Sequence, residues 1–159
     1  MKASIIFGSA SDADVMKKAA DVFKEFGVSY TSYALSAHRT PEVLADTLRA
    51  LEADGAEVII AGAGLAAHLP GVIASQTLLP VIGVPIGGSG GLGGLDALLS
   101  IVQMPKPIPV ATVGVSNAAN AAYLACEILA IKYPEMKQKL VDFRKKMKES
   151  LAREGKIEL

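Results

Sequence analysis

The sequence predicts a three-layer α/β/α sandwich built on a parallel, doubly wound sheet. Three observations carry this. Short β-rich runs alternate with segments of helical period along the chain. The Val-Ile-Ile core of 57–61 is typical of a buried strand, and strands alternating with helices imply a parallel sheet covered on both faces. The 159 residues, 51% of them hydrophobic, suit one compact domain spanning 1–159.

Residues 3–7 read as the first strand, and Val15, Ala19, Val22, Phe23 and Phe26 then fall on one face of a helix that ends at Gly27. Residues 28–35 read as the second strand. Thr40-Pro41 opens a helix, with Thr as N-cap and Pro at the first helical position, and Gly55 closes it. A Val-Ile-Ile core marks 57–61 as a buried strand, followed by a short helix over 68–77. Strands over 81–84 and 110–115 alternate with helices over 95–102 and 117–132. Pro134 opens a final helix with the stripe Met136, Leu140, Phe143, Met147 and Leu151, and a short tail follows. Five such units without a long spacer describe a flavodoxin-like arrangement.

Charge and composition narrow the function. Lys plus Arg and Asp plus Glu balance at 16 each, so no net positive field exists to attract nucleic acid. The run Arg144, Lys145, Lys146, Lys148 reads as the solvated face of the last helix. Cys126 is the only cysteine, which excludes intrachain disulfides and cysteine-based zinc sites, and its mid-helix apolar setting favours packing over a catalytic thiol. The apolar run at the N-terminus is too short for a signal peptide, and no apolar stretch is long enough to span a membrane, so a cytoplasmic protein is expected. A mean hydropathy of +0.38 is high for a monomer and points to apolar surface covered by other subunits.

Ligands of open parallel sheets bind outside the carboxyl ends of the strands, and the chemically distinctive residues fall there. Gly8-Ser9-Ala10-Ser11-Asp12 follows the first strand and Ser36-Ala37-His38-Arg39-Thr40-Pro41 the second. Gly62-Ala63-Gly64-Leu65-Ala66-Ala67-His68 follows the third, and the glycine-rich stretch 87–94 the fourth. Both histidines of the chain lie in this set. Ser9 and Ser11 suit either plain N-capping or a phosphate at a helix N-terminus, and Asp12 is better suited to sugar hydroxyls. Arg39 is a bidentate phosphate binder beside His38, a side chain able to exchange protons near neutral pH. His68 reads as a second acid/base, a substrate contact or a residue tied to its loop, the last favoured. Gly64 allows close backbone approach.

Other patterns fail on context. Gly62-Ala63-Gly64 with Ala67 matches a dinucleotide fingerprint, but it follows the third strand and lacks the ribose-binding acid. Gly87-Gly88-Ser89-Gly90-Gly91 matches a nucleophile elbow, but a hydrolase needs its histidine after the serine and both histidines precede Ser89. A receiver module needs an aspartate where the third strand ends, and Gly62 stands there. A flavin carrier would stack aromatics on its flavin, and the chain has no Trp.

Taken together, Gly8-Ser9-Ala10-Ser11-Asp12, Ser36-Ala37-His38-Arg39-Thr40-Pro41, the Gly62 to Gly71 segment and Ser100-Ile101-Val102-Gln103-Met104-Pro105 resemble the PurE family, the N5-carboxyaminoimidazole ribonucleotide mutases of purine biosynthesis. The resemblance runs in order through nearly the whole chain. It implies an octamer without metal or organic cofactor, acting on a small ribonucleotide through released and recaptured CO2, with no nucleic-acid or membrane partner. By motif position Ser9, Ser11, Asp12 and Arg39 would hold the ribose phosphate, with Ser36 and Ala37 nearby. His38 would be the general acid/base, and Gly64 and His68 would line the pocket for imidazole and CO2. The alternative within the family is direct carboxylation of aminoimidazole ribonucleotide. Two departures lie near the CO2 pocket: stretch 87–94 is richer in glycine than is usual, and position 65 is Leu where glycine is common.

Overall fold

The computed structural model describes residues 1–88 and 90–155; Ser89 of the glycine-rich stretch and the tail 156–159 lie outside the described residues. Five parallel strands, β1 (Lys2–Phe7), β2 (Ser29–Ala34), β3 (Val58–Gly64), β4 (Val81–Ile86) and β5 (Ala111–Thr112), lie in the order β2-β1-β3-β4-β5. This is the expected flavodoxin-like sheet. Its strand order reverses between β1 and β3, which places a crevice at their carboxyl ends.

Alternation along the strands decides which helices cover which face. Ile5, Val58, Ile60, Ile82 and Val84 pack with α1 (Ala13–Phe26), α5 (Ala118–Ala130) and the start of α6 (Pro134–Glu154). Their neighbours Ile6, Ile59, Ala61 and Val81 pack on the other side with α2 (Pro41–Ala53), α3 (Leu69–Ala74) and α4 (Leu95–Val102). Gly83 is required by this packing: a Cβ there would lie 2.4 Å from Ile101 Cγ2 on α4.

The helix ends follow local chemistry. Gly27 closes α1 in the left-handed conformation at φ 69°, and Lys139 Nζ of α6 donates to the Phe26 carbonyl at 2.7 Å. That places a cation at the carboxyl end of the α1 dipole. Asn117 caps α5 by accepting from the Asn120 N–H.

Three sequence expectations are corrected. Thr40 stands at the N-cap of α2 but its side chain makes no capping bond; its hydroxyl donates to the Ser36 carbonyl at 3.0 Å and accepts from the Ser36 N–H at 3.2 Å. The short helix spans only Leu69–Ala74, starting after His68, with Pro70 in its first turn. β5 has two residues rather than six. Gly83 and Pro85 present their carbonyls to Val113 and Ser116, so the N–H that Pro85 lacks falls on the β5 side and interrupts the ladder there.

Candidate active site

A cleft of about 720 Å³ opens at the carboxyl ends of β1, β3 and β4. Ser9, Ser11, Asp12, Ser36, Ala37, His38, Arg39, Gly64 and His68 all line it. Residues spread over three loops therefore meet around one space.

Where β1 ends, Gly8 donates its N–H to the Gly62 carbonyl at 3.1 Å, and the chain enters a single helical turn, Ala10–Asp12. Ser9 caps this turn: its hydroxyl accepts from the Ser11 N–H at 3.4 Å and from the Ser11 hydroxyl at 3.0 Å. The two hydroxyls thus sit together beside the amides that lead into α1. Asp12 is half-buried, and desolvation raises its pKa above the usual carboxylate value although hydrogen bonds from Ser11 and the Ser9 backbone oppose the rise.

The loop after β2 is shaped by the Ser36–Thr40 clasp, which frees positions 37–39 to project into the cleft. Ser36 Oγ accepts from the Arg39 N–H at 3.3 Å. The Arg39 guanidinium donates to the Gly8 carbonyl at 3.2 Å and bridges the first two loops. Arg39 is exposed, and a planar guanidinium held by one donor keeps its others for an anion. The serine pair and Arg39, which is tied to the carbonyl next to Ser9, line the same side of the loops around the cleft and form a polar cradle there.

His38 and His68 meet across the cleft, His38 Nε2 lying 2.8 Å from His68 Nδ1 with the rings nearly perpendicular at 84°. One of the facing nitrogens carries the shared proton and the other supplies a lone pair. The ring of His68, for which the sequence favoured a tie to its own loop, is bonded to His38 instead. Gly64 ends β3 beside β4, where a Cβ would lie 3.0 Å from the Ile86 carbonyl oxygen. Leu65 follows with φ 55°, a left-handed conformation that costs a non-glycine residue about 1 kcal/mol or more.

The cleft also contains residues that sequence reasoning passed over. Val15 lines it from α1, and Asp96 from the first turn of α4. An acid in a first helical turn is ordinary dipole chemistry, so nothing in the sequence distinguished Asp96. Gly87, Gly88, Gly90 and Gly91, from the stretch after the fourth strand, line it as well. Away from the cleft, Cys126 is buried, and desolvation with the nearby Glu127 charge pushes its thiol to about 12, in keeping with a packing role. Among the described residues no cluster of three or more His, Cys, Asp or Glu side chains is arranged for a metal ion, and no helix is long and apolar enough to cross a membrane.

Fold and cleft together define a doubly wound α/β protein with a polar, histidine-bearing ligand site at its switch point. The chain belongs to the AIR carboxylase family, whose model matches residues 2–150. It is 62% identical over 147 residues to an N5-carboxyaminoimidazole ribonucleotide mutase of Pyrococcus abyssi, covering 92% of this chain and 84% of that one. It is 49% identical over 150 residues to the chloroplastic phosphoribosylaminoimidazole carboxylase of Vigna aconitifolia, covering 94% of this chain but 27% of that protein. Among solved structures, Treponema denticola PurE superposes with a TM-score of 0.83 at 29% identity, covering 96% of this chain and 97% of that one.

Proposed function

We propose that the protein is a mutase that converts N5-carboxyaminoimidazole ribonucleotide to 4-carboxyaminoimidazole ribonucleotide in this cleft. The observation that carries the reading is the His38–His68 pair, joined at 2.8 Å, facing the same space as the Ser9, Ser11 and Arg39 cradle. A phosphorylated substrate needs an anion site at one end and a proton carrier at the other, and the cleft holds both. The relative named as a mutase at 62% identity supports the same reaction.

In this reaction the bond from N5 to the carboxyl carbon breaks, CO2 leaves, and N5 takes up a proton. Carbon four of the ring then attacks CO2, and the proton on that carbon is lost. Atoms and charge balance without ATP, so the site supplies proton transfer and confinement. His38 carries the protons, a role worth about two to four powers of ten in rate. Ser9, Ser11 and Arg39 hold the phosphate. Asp12 holds ribose hydroxyls, its raised pKa reflecting a half-buried carboxyl that gains by accepting such bonds. Ser36 and Ala37 shape the loop that presents His38, and Gly64 and His68 border the imidazole. Retaining CO2 beside the ring keeps the second half-reaction intramolecular, which contributes several kcal/mol.

The protein acts as a single catalytic domain in a cytoplasmic homo-octamer. The second reading, direct carboxylation of aminoimidazole ribonucleotide, has the plant carboxylase relative in its favour. The two separate in a buffer low in CO2 and free of ATP. Rapid C4-carboxylated product from N5-carboxyaminoimidazole ribonucleotide, well above that from aminoimidazole ribonucleotide plus bicarbonate, is the expected result. The reverse preference would establish the carboxylase.

A further inference from the structure

Among the described residues two non-glycine residues have positive φ, Leu65 and Ser116, both at 55°. Leu65 lines the cleft, but Ser116 does not, so its left-handed backbone needs another reason. Its hydrogen bonds supply one. The Ser116 N–H donates to the Pro85 carbonyl at 2.7 Å, and the Ser116 hydroxyl accepts from the Gly87 N–H at 3.2 Å. A residue in a parallel ladder donates to the carbonyl before its partner and accepts from the N–H after it. Ser116 does this across Ile86, with its hydroxyl in the place of its own carbonyl. β5 ends at Thr112, so these bonds carry the pairing past the point where the strand has stopped.

What Ser116 holds is the start of the glycine run that borders the cleft. Gly87, Gly88, Gly90 and Gly91 line it. Glycine has no side chain to pack and the widest choice of backbone conformations, so a wall of glycines cannot fix its own position. Among the described residues, the hydrogen bond that ties this run to another loop is the one from Gly87 to Ser116. The placement is exacting: a Cβ on Gly91 would lie 2.6 Å from a carboxylate oxygen of Asp96. Val115 adds a clamp beside the hydroxyl. Its Cγ1 would lie 3.1 Å from a Cβ on Gly87 and 2.5 Å from one on Gly94, and that Gly94 Cβ would lie 3.1 Å from the Gly87 Cα. The two ends of the run therefore meet, and the turn at 115–116 sits against both.

We propose that Ser116 is a positioning residue for the reaction: from outside the cleft, its hydroxyl fixes the glycine wall in the placement that substrate binding requires. The inference rests on the mutase reading above. Without the hydroxyl, the wall samples other placements in the free protein and the substrate has to draw it back. Apparent affinity then falls with the competent fraction, while the bound complex reacts as before. The signature is a raised KM with kcat retained. A merely structural serine would instead lower the amount of folded enzyme, and so kcat, and leave KM alone.

Two variants separate the hydroxyl from the backbone. Ser116→Gly removes the hydroxyl and adopts a φ of 55° freely, whereas Ser116→Thr keeps a hydroxyl but places a β-branched residue in a left-handed conformation. With N5-carboxyaminoimidazole ribonucleotide, Ser116→Gly should raise KM about fivefold or more and keep kcat within about twofold. Its melting temperature should stay within about 3 °C of the unmodified protein. Ser116→Thr should melt lower and keep KM within about twofold. An unchanged KM in Ser116→Gly, or a KM that follows melting temperature across the pair, would overturn the inference. Hydrogen exchange read by mass spectrometry needs no substrate: in Ser116→Gly the peptide over 84–95 should exchange about fivefold faster or more, with the other peptides unchanged. Unchanged exchange there would overturn the inference by itself. Failure of the unmodified protein to convert the substrate would remove the mutase reading and the kinetic part of this inference, while the exchange result still decides whether Ser116 anchors the wall.

Discussion

At the residue scale, two carboxylates show how environment sets chemistry. Asp12, in the cleft, is raised by burial and given only partial compensation by Ser11 and the Ser9 backbone. Glu57 lies at the far end of the sheet, where burial would also raise it. There the hydrogen bonds from Lys132, Tyr133 and the Lys2 N–H outweigh burial and hold it at about 2. Lys132 Nζ lies 2.7 Å and the Tyr133 hydroxyl 2.9 Å from Glu57 Oε1, and the N-terminal ammonium is 3.7 Å from Oε2. Because the folded pKa is below the ordinary 4.5, this stabilisation is complete above that value and is lost as pH falls from 4.5 towards 2. Allowing for solvent screening, it amounts to about 1–2 kcal/mol. Glu57→Gln should lower the unfolding free energy at pH 7 by that amount and flatten its decline in acid, as urea melts at pH 7 and pH 3 would record. Equal acid sensitivity in both proteins would contradict the assignment.

The residues of the cleft were legible in the sequence to the extent that they follow strand ends. Ser9, Ser11, His38, Arg39 and His68 needed only that rule to be placed together. The contact of His38 with His68 was hidden, since it joins side chains from two loops whose approach depends on the sheet. The left-handed Leu65 was hidden for a similar reason: leucine gives no local signal for positive φ, and Gly91 makes room for it 26 positions later.

At the element scale, periodicity located β1 to β5 and α1 to α6, though not the single turn Ala10–Asp12, because most of these elements bury one continuous face. It failed where tertiary hydrogen bonding decides. β5 is short because of Pro85 on its neighbour, which no reading of 110–115 by itself reveals. Thr40 has the residue type of an N-cap, but the loop uses its hydroxyl to clasp Ser36. The stripe on α6 is only half used within the subunit. Met136 and Leu140 are buried, and Phe143 packs on Phe26 and Tyr123 with ring centroids 5.4 and 5.2 Å away. Met147 and Leu151, on the same face, are exposed. Sequence spacing gives a face but cannot say which subunit covers it.

At the scale of the whole molecule, that uncovered stripe has a counterpart on α4, where Leu95, Leu99 and Val102 are exposed along one side. Apolar surface of this kind marks interaction sites, and the proposed octamer would cover it. If the protein forms the proposed homo-octamer of 16.5 kDa subunits, sedimentation equilibrium should return about eight times the subunit mass at micromolar concentration. A monomer or dimer there would remove the octamer and leave these residues unexplained.

His38 is proposed to move the protons of a carboxylate migration in this cleft. The most direct measurement is the conversion of N5-carboxyaminoimidazole ribonucleotide by the unmodified protein and by His38→Asn, side by side, with circular dichroism to establish that both are folded. Rapid C4-carboxylated product is expected from the first and a loss of at least two powers of ten in the second. Activity of folded His38→Asn within tenfold of the unmodified protein would contradict this role.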